Sequence, residues 1–322
     1  WTPSFLLLRM LVHMITPLLL GLCGVQFVPQ LGSYRRLGLD TTLSSKSKLE
    51  DLTYAAGGHV ILCNLTNCLE VLYLERFCRP VFVFTYKISR VSAATTTPTT
   101  GCHAYLCVSA GLYRALWLAA YSNAGDPVPS DARPLSDMVQ YSRLVGRPIV
   151  LFPEGARTNG DGVLEFPSQL FESLIIGTGS STSTPLPSIH LTGFLYPSPD
   201  KLSPATPVGS PLAKLFWLSG SSGWGWGPLF TVPLCCVPAQ MIKNPLVGPA
   251  TRGDESGHHI RKSSQQLVAY INQLRDLFAQ LVRKNKVALN IDDLISFRKY
   301  YILLNSGNNK EANVFADERK KH

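Results

Sequence analysis

The sequence predicts an α/β protein: a sheet with parallel strands, flanked by helices. Three observations carry that reading. His59-Val60-Ile61-Leu62-Cys63 and Ile149-Val150-Leu151-Phe152 are short apolar runs, the pattern of strands buried on both faces. Pro80-Val81-Phe82-Val83-Phe84 repeats the pattern after a helical stretch, giving strand, helix and strand at the spacing of a right-handed parallel unit. The last third of the chain then changes period. Leu267, Tyr270, Ile271, Leu274, Leu277, Phe278 and Leu281 recur at three- and four-residue steps, an amphipathic helix with a core-facing stripe.

Composition narrows the class. A chain of 322 residues is long enough for one large domain or two. Hydrophobic content of 45% with only 16% charged residues leans toward a membrane-associated globular protein. The net charge of +9 suits anionic lipid, phosphate-bearing substrates or nucleic acid. No module of basic residues with interleaved aromatics occurs, so nucleic acid is discounted. The eight cysteines include no Cys-x-x-Cys pair and lack zinc-type histidine spacing, which reads as reduced, buried thiols in a cytosol-facing protein.

In chain order, residues 1–34 are expected to associate with a membrane. Met10 to Tyr34 carries no charge except a possible one on His13, and at ~1.5 Å per residue it could cross a ~30 Å hydrocarbon layer. Pro17, Gly21, Gly24 and Pro29 weaken a straight-helix reading and leave a re-entrant or interface-lying segment as an alternative. A cleaved signal peptide with Arg9 in its n-region is the competing view. Arg35, Arg36, Lys46 and Lys48 follow, which keeps the main domain cytoplasmic by the positive-inside rule.

Residues 50–250 are expected to form the α/β domain. Asn64-Leu65-Thr66-Asn67 ends one strand, and a helix starts near Leu69 with Thr66 or Asn67 as N-cap. Glu70 falls in its first turn, where a carboxylate meets the positive end of the helix dipole. Helices are expected over Leu112 to Tyr121 and Leu135 to Leu144, and strands over Ile189 to Tyr196 and Phe230 to Val237. Loops rich in Ser, Thr, Pro or Gly lie at 95–100, 178–188, 197–211 and 219–228. Trp217, Trp224 and Trp226 suit a bilayer interface or packing under a loop. Residues 258–305 form a helical extension whose second helix runs from the cap Asn290 to Leu304, and 306–322 is a polar tail.

The candidate site follows the strand at 149–152. Pro153 cannot donate to a ladder, so the strand stops there, and Glu154, Gly155 and Arg157 sit at its carboxyl end, where open parallel sheets collect ligands. Gly155 permits a sharp turn, and the Arg157 fork suits a phosphate. A surface turn with a salt bridge is the plainer alternative. Gly155 to Gly160 has the spacing of a nucleotide-binding loop, but Asp161-Gly162 follows where Lys-Ser/Thr is required, which excludes a nucleotide triphosphatase.

Phe152-Pro153-Glu154-Gly155, followed two residues on by Arg157, resembles the Glu-Gly-Thr-Arg motif of the glycerophospholipid acyltransferases. Asn64 to Glu70 resembles their other motif: histidine, four residues, aspartate. The stretch Val287 to Phe297 looks like the ending of the fungal lysophosphatidic acid acyltransferase branch. The resemblance runs patchily from about Gly58 to Arg298. It implies an acyltransferase-like α/β sheet and transfer of a fatty acyl group from acyl-CoA to lysophosphatidic acid. It further implies membrane lipid as a partner and a place at the endoplasmic reticulum membrane or lipid droplets. Arg157 would hold the acceptor phosphate, with Glu154 orienting Arg157 or the loop and Gly155 shaping it. No metal or bound organic cofactor is implied; acyl-CoA is a substrate.

The chain departs from that family at its catalytic position. Leu65 stands where the family has histidine, Glu70 where it has aspartate, and Ala156 replaces threonine. In the family, histidine takes the acceptor proton, and loss of a general base typically removes ~10²–10⁴-fold of rate. His59 lies ~16 Å from the site at ~3.3 Å per strand residue. His103 and His190 are not placed by sequence. Glu70 therefore becomes the candidate catalytic carboxylate, able to act as base if burial raises its pKa. The alternative is an inactive lipid-binding member of the same fold. A serine hydrolase is a third reading, weakened by the absence of a Gly-x-Ser-x-Gly elbow.

Overall fold

The structure is a computed structural model that describes residues 10, 14–18, 20–21, 25–29, 55–88, 105–122, 126–155, 157–158, 160–176, 187–196, 213–214, 230–242, 256–308, 310–311 and 313–314. Within them, strands β1 (Val25–Pro29), β2 (Val60–Cys63), β3 (Val81–Lys87), β4 (Tyr105–Ala110), β5 (Ile149–Leu151), β7 (Ile189–Phe194) and β8 (Phe230–Val237) share one sheet. Their spatial order is β1-β8-β7-β2-β5-β3-β4. The central four, β7, β2, β5 and β3, are mutually parallel, and β1 runs parallel to β8. Strand β8 meets β7, and β4 meets β3, in antiparallel register. The expected α/β class holds: β2 and β3 are parallel, with β5 inserted between them.

Strand periodicity sorts the core into two halves. Ile61, Cys63, Phe82, Phe84, Val150 and Phe152 pack with helices α1 (Leu69–Cys78) and α2 (Leu112–Tyr121). Val60, Leu62, Val81, Val83, Ile149 and Leu151 pack with α3 (Leu135–Val145), α4 (Ser168–Ile176) and α5 (Ser256–Leu281). Leu274 and Phe278 of α5 are fully buried, and side chains of this size each contribute about 1.5–3 kcal/mol. The helix read from its stripe thus packs onto the sheet itself. A two-residue pairing of β6 (Gly162–Val163) with β9 (Asn285–Lys286) ties the loop after β5 to the end of α5.

Helix α6 (Ile291–Asn305) starts as its sequence implies. The Asn290 side chain accepts from Asp292 N and Asp293 N, and the Asp293 carboxylate accepts from Asn290 N, a complete capping box. Only two of its residues, Ile291 and Arg298, are buried. Lys87 of β3 pairs with Asp292 and holds its start against the sheet.

Two expectations are corrected. The apolar stretch from Met10 to Tyr34 supplies β1 to the sheet, and no helix among the described residues is long and apolar enough to cross a membrane. The physical reason is local: Val25 and Phe27 are buried with Gln26 exposed between them, and Phe27 packs on Tyr73 and Phe194. Helix α1 begins at Leu69 as expected, but Cys68 rather than Thr66 or Asn67 is at the N-cap, with no side-chain cap. Asn67 Oδ1 still accepts from Leu69 N at 3.2 Å. Arg35, Arg36, Lys46, Lys48, Trp217, Trp224, Trp226 and the stretch 95–100 lie outside the described residues.

Candidate functional site

Strands β2 and β5 are adjacent and parallel, with Leu62 opposite Leu151, so the chain leaves both at the same edge of the sheet. The turn after β5 uses Gly155 at φ +68°, a left-handed conformation that a Cβ would strain. The chain then runs back across the residues that follow β2. Thr158 N donates to the Leu65 carbonyl at 2.9 Å. Gly160 sits so close that a Cβ there would lie 3.2 Å from Thr66 Cγ2. Leu65, Glu70, Gly155 and Arg157 thereby lie at one edge of the sheet. Asn64 fixes that edge from the other side: its amide donates to the Phe194 carbonyl at 3.0 Å and accepts from Phe194 N at 2.9 Å.

Glu70 is fully buried. Its carboxyl accepts from Thr66 N at 2.9 Å, from Asn67 N at 3.3 Å and from the Thr66 hydroxyl. Burial pushes its pKa up to about 8, against the opposing pull of those donors. The buried Tyr196 hydroxyl sits beside Thr66 and Glu70 without completing a hydrogen bond, and burial raises it well above the ordinary phenol value. Leu65 is buried and apolar, so position 65 supplies no proton acceptor.

Glu154 acts on the loop and not on Arg157. Its Oε1 accepts from Leu164 N at 3.0 Å, which anchors the turn to the residue after β6. Burial lifts its pKa to about 7, while the Leu164 amide, Thr158 and Arg275 hold it down.

Arg157 is buried, with 4% of its surface exposed. Burial lowers its pKa; Cys68, Glu70 and Tyr121 act in the other direction. Sequence reading missed the residue that meets it. Arg298 of α6, 6% exposed, donates from Nη2 to the Arg157 carbonyl at 3.0 Å. Burial and the neighbouring Arg157 lower the Arg298 pKa to about 10, and Asp126 opposes them. A signal existed: Ile291, Leu294, Ile295 and Arg298 follow helical one-face spacing, with arginine where an apolar residue belongs.

The histidines lie elsewhere. His59 and His190 are at the opposite end of the strands, with His59 Nδ1 3.0 Å from His190 Nε2. Ala239 N donates to His190 Nδ1 at 3.3 Å, so His190 carries its proton on Nε2 and donates to His59. His103 falls outside the described residues. Cys63, Cys68, Cys78, Cys107, Cys235 and Cys236 are buried thiols outside any disulfide. Among the described residues no cluster of three or more His, Cys, Asp or Glu is placed to hold a metal.

The edge therefore combines a carboxyl that titrates near neutrality with two buried guanidiniums. Such a set can exchange a proton with a hydroxyl and hold an oxyanion. No protein-family model matches the chain, and comparison with curated proteins and with solved structures gives no significant match.

Proposed function

We propose that the protein transfers a fatty acyl group from acyl-CoA to lysophosphatidic acid, giving phosphatidic acid in glycerophospholipid and triacylglycerol synthesis. The observation that carries this reading is the seam between residues 64–70 and 153–160, closed by Thr158 N on the Leu65 carbonyl. It sets a buried carboxyl beside a buried guanidinium, the pair that acyl transfer to a phosphate-bearing alcohol requires.

In this reading Arg157 binds the acceptor phosphate, and Gly155 with Glu154 holds the loop that carries it. Ionised Glu70 takes the proton from the acceptor hydroxyl as its oxygen attacks the thioester carbonyl. Collapse of the tetrahedral intermediate breaks the C–S bond, and the CoA thiolate leaves with the proton returned by Glu70. A base of pKa about 8 is mostly protonated at pH 7, so the rate rises with pH toward 8. The protein would work at the endoplasmic reticulum membrane or at lipid droplets, with its main domain cytoplasmic.

One observation favours a second reading, an inactive lipid-binding protein. Thr66 and Asn67 already occupy the Glu70 carboxyl, and Leu65 offers no substitute. Acyl transfer by the purified protein across lysophospholipids and acyl-CoAs decides between the two. Phosphatidic acid formed from lysophosphatidic acid supports the first; tight lysolipid binding with no turnover of any acyl-CoA supports the second.

A further inference from the structure

We infer that the second half of α6 is a docking surface for a lipid bilayer that carries anionic headgroups. The docking stands on α6 itself; that it serves delivery of the acceptor rests on the acyl-transfer reading. Arg298 is buried, yet Ile302, one turn further along the same side, is 61% exposed. The helix therefore runs clear of the sheet beyond Arg298. Tyr300, Tyr301, Ile302, Leu303 and Leu304 follow one another, which exceeds a full turn and leaves this part apolar on every side. Tyr301 and Leu304 are exposed too, and the Phe297 and Tyr301 rings meet at the surface with centroids 6.5 Å apart. A helix apolar all round suits a surrounding without water. At 15 residues α6 is too short to span a bilayer, which confines it to one face of the membrane.

Charge decides between a bilayer and a second copy of the chain. From Leu294 to Lys310 the sequence carries Arg298, Lys299 and Lys310 and no carboxylate, and both lysines are exposed. A twofold contact uses the same patch on both partners, so pairing through α6 would bring like charges together. Anionic headgroups meet them with opposite charge, at the level where tyrosine and lysine side chains settle. The candidate site adjoins this surface, since Arg298 Nη2 donates to the Arg157 carbonyl at 3.0 Å. Tyr121 of α2 acts on the same Arg157, and α2 exposes Tyr113, Trp117 and Tyr121 at four-residue steps along one face. Docking of α6 would bring the Arg157 loop toward the headgroups, where the phosphate of a lysolipid resides.

Co-sedimentation of the full chain with vesicles of phosphatidylcholine, alone or mixed with phosphatidylserine, tests this. The native chain is expected to bind the mixed vesicles more tightly. Ile302→Asn with Leu304→Asn is expected to weaken binding to both kinds roughly ten- to hundredfold. Lys299→Gln with Lys310→Gln is expected to remove the preference for mixed vesicles. No binding by the native chain, or binding unchanged in the apolar variant, overturns the docking. A native dimer in lipid-free ultracentrifugation that the apolar variant returns to monomer assigns the surface to a second copy and overturns it too. Should the apolar variant not fold, an unchanged preference in the lysine variant overturns it equally. Acyl transfer to lysophosphatidic acid in vesicles, and to a short-chain soluble analogue, separates this inference from the proposed function. Loss in the apolar variant with vesicles alone supports the docking. Vesicle binding through α6 with no acyl transfer keeps the docking and removes the acyltransferase reading. Transfer in vesicles that is insensitive to α6 does the reverse.

Discussion

The two ends of the parallel strands bury polar groups in opposite ways. At the amino end, Ala239 N, His190 and His59 form a neutral chain in which the amide donates to His190 and His190 donates to His59. At the carboxyl end, Glu70, Glu154, Arg157 and Arg298 are all buried, and burial is the largest influence on the pKa of each. A neutral hydrogen-bonded chain of this kind can be accounted for by folding alone. Buried ionisable groups displaced toward their neutral forms are costly to the fold, and their concentration at one edge marks it as the place where chemistry would occur.

If that contrast is functional, substitutions at the two ends should differ most in turnover. Glu70→Gln is expected to lower acyl transfer ~10²–10⁴-fold, while His190→Gln changes kcat little. Equal effects in steady-state assays would erase the distinction. Arg157→Ala should raise the acceptor KM roughly ten- to hundredfold without unfolding the protein, because α6 is held by the Arg157 main-chain carbonyl. An unchanged acceptor KM and kcat would remove Arg157 from the site.

Stability against pH sharpens the comparison further. Glu70 and Glu154 keep their protons in the folded chain to about pH 8 and 7, against an ordinary value of 4.5. Their contribution is complete below pH 4.5 and is lost as pH rises through 7 and then 8. Thermal melts should therefore fall across that window, and Glu70→Gln with Glu154→Gln should flatten the slope. At the other end the sign reverses and the effect is smaller. Burial lowers the His59 pKa below 6.5, so its neutral state favours folding above pH 6.5 and the benefit fades as pH drops beneath it. His59→Ala should remove a small acid-side loss in the same melts; an unaltered acid limb would mean the pair is not titrating.

What was legible in the sequence follows from how local each feature is. Helix α2 and strand β8 have the bounds their sequences imply, because periodicity and β-branched content act within a few residues. The turn at Gly155 and the capping box at Asn290 were legible for the same reason. Strand β4 was not, since Tyr105 to Ala110 gains its strand character by pairing with β3. The alternation at Val25 to Phe27 was hidden inside a longer uncharged run that fits a membrane segment equally well. Arg298 was missed because its burial depends on a carbonyl 141 residues earlier in the chain.

The pairing of β1 with β8 also sets an order of assembly. Val25 is synthesised about two hundred residues before Phe230, its partner, an interval of ~10–40 s at ordinary ribosomal speed. Tyr73 emerges far sooner, so Phe27 can rest on its ring while the first strand waits for a backbone partner. An aromatic partner for that strand is thus available before its hydrogen-bonding partner is. Until β8 arrives, that edge is open to chaperones and to unwanted pairing alike.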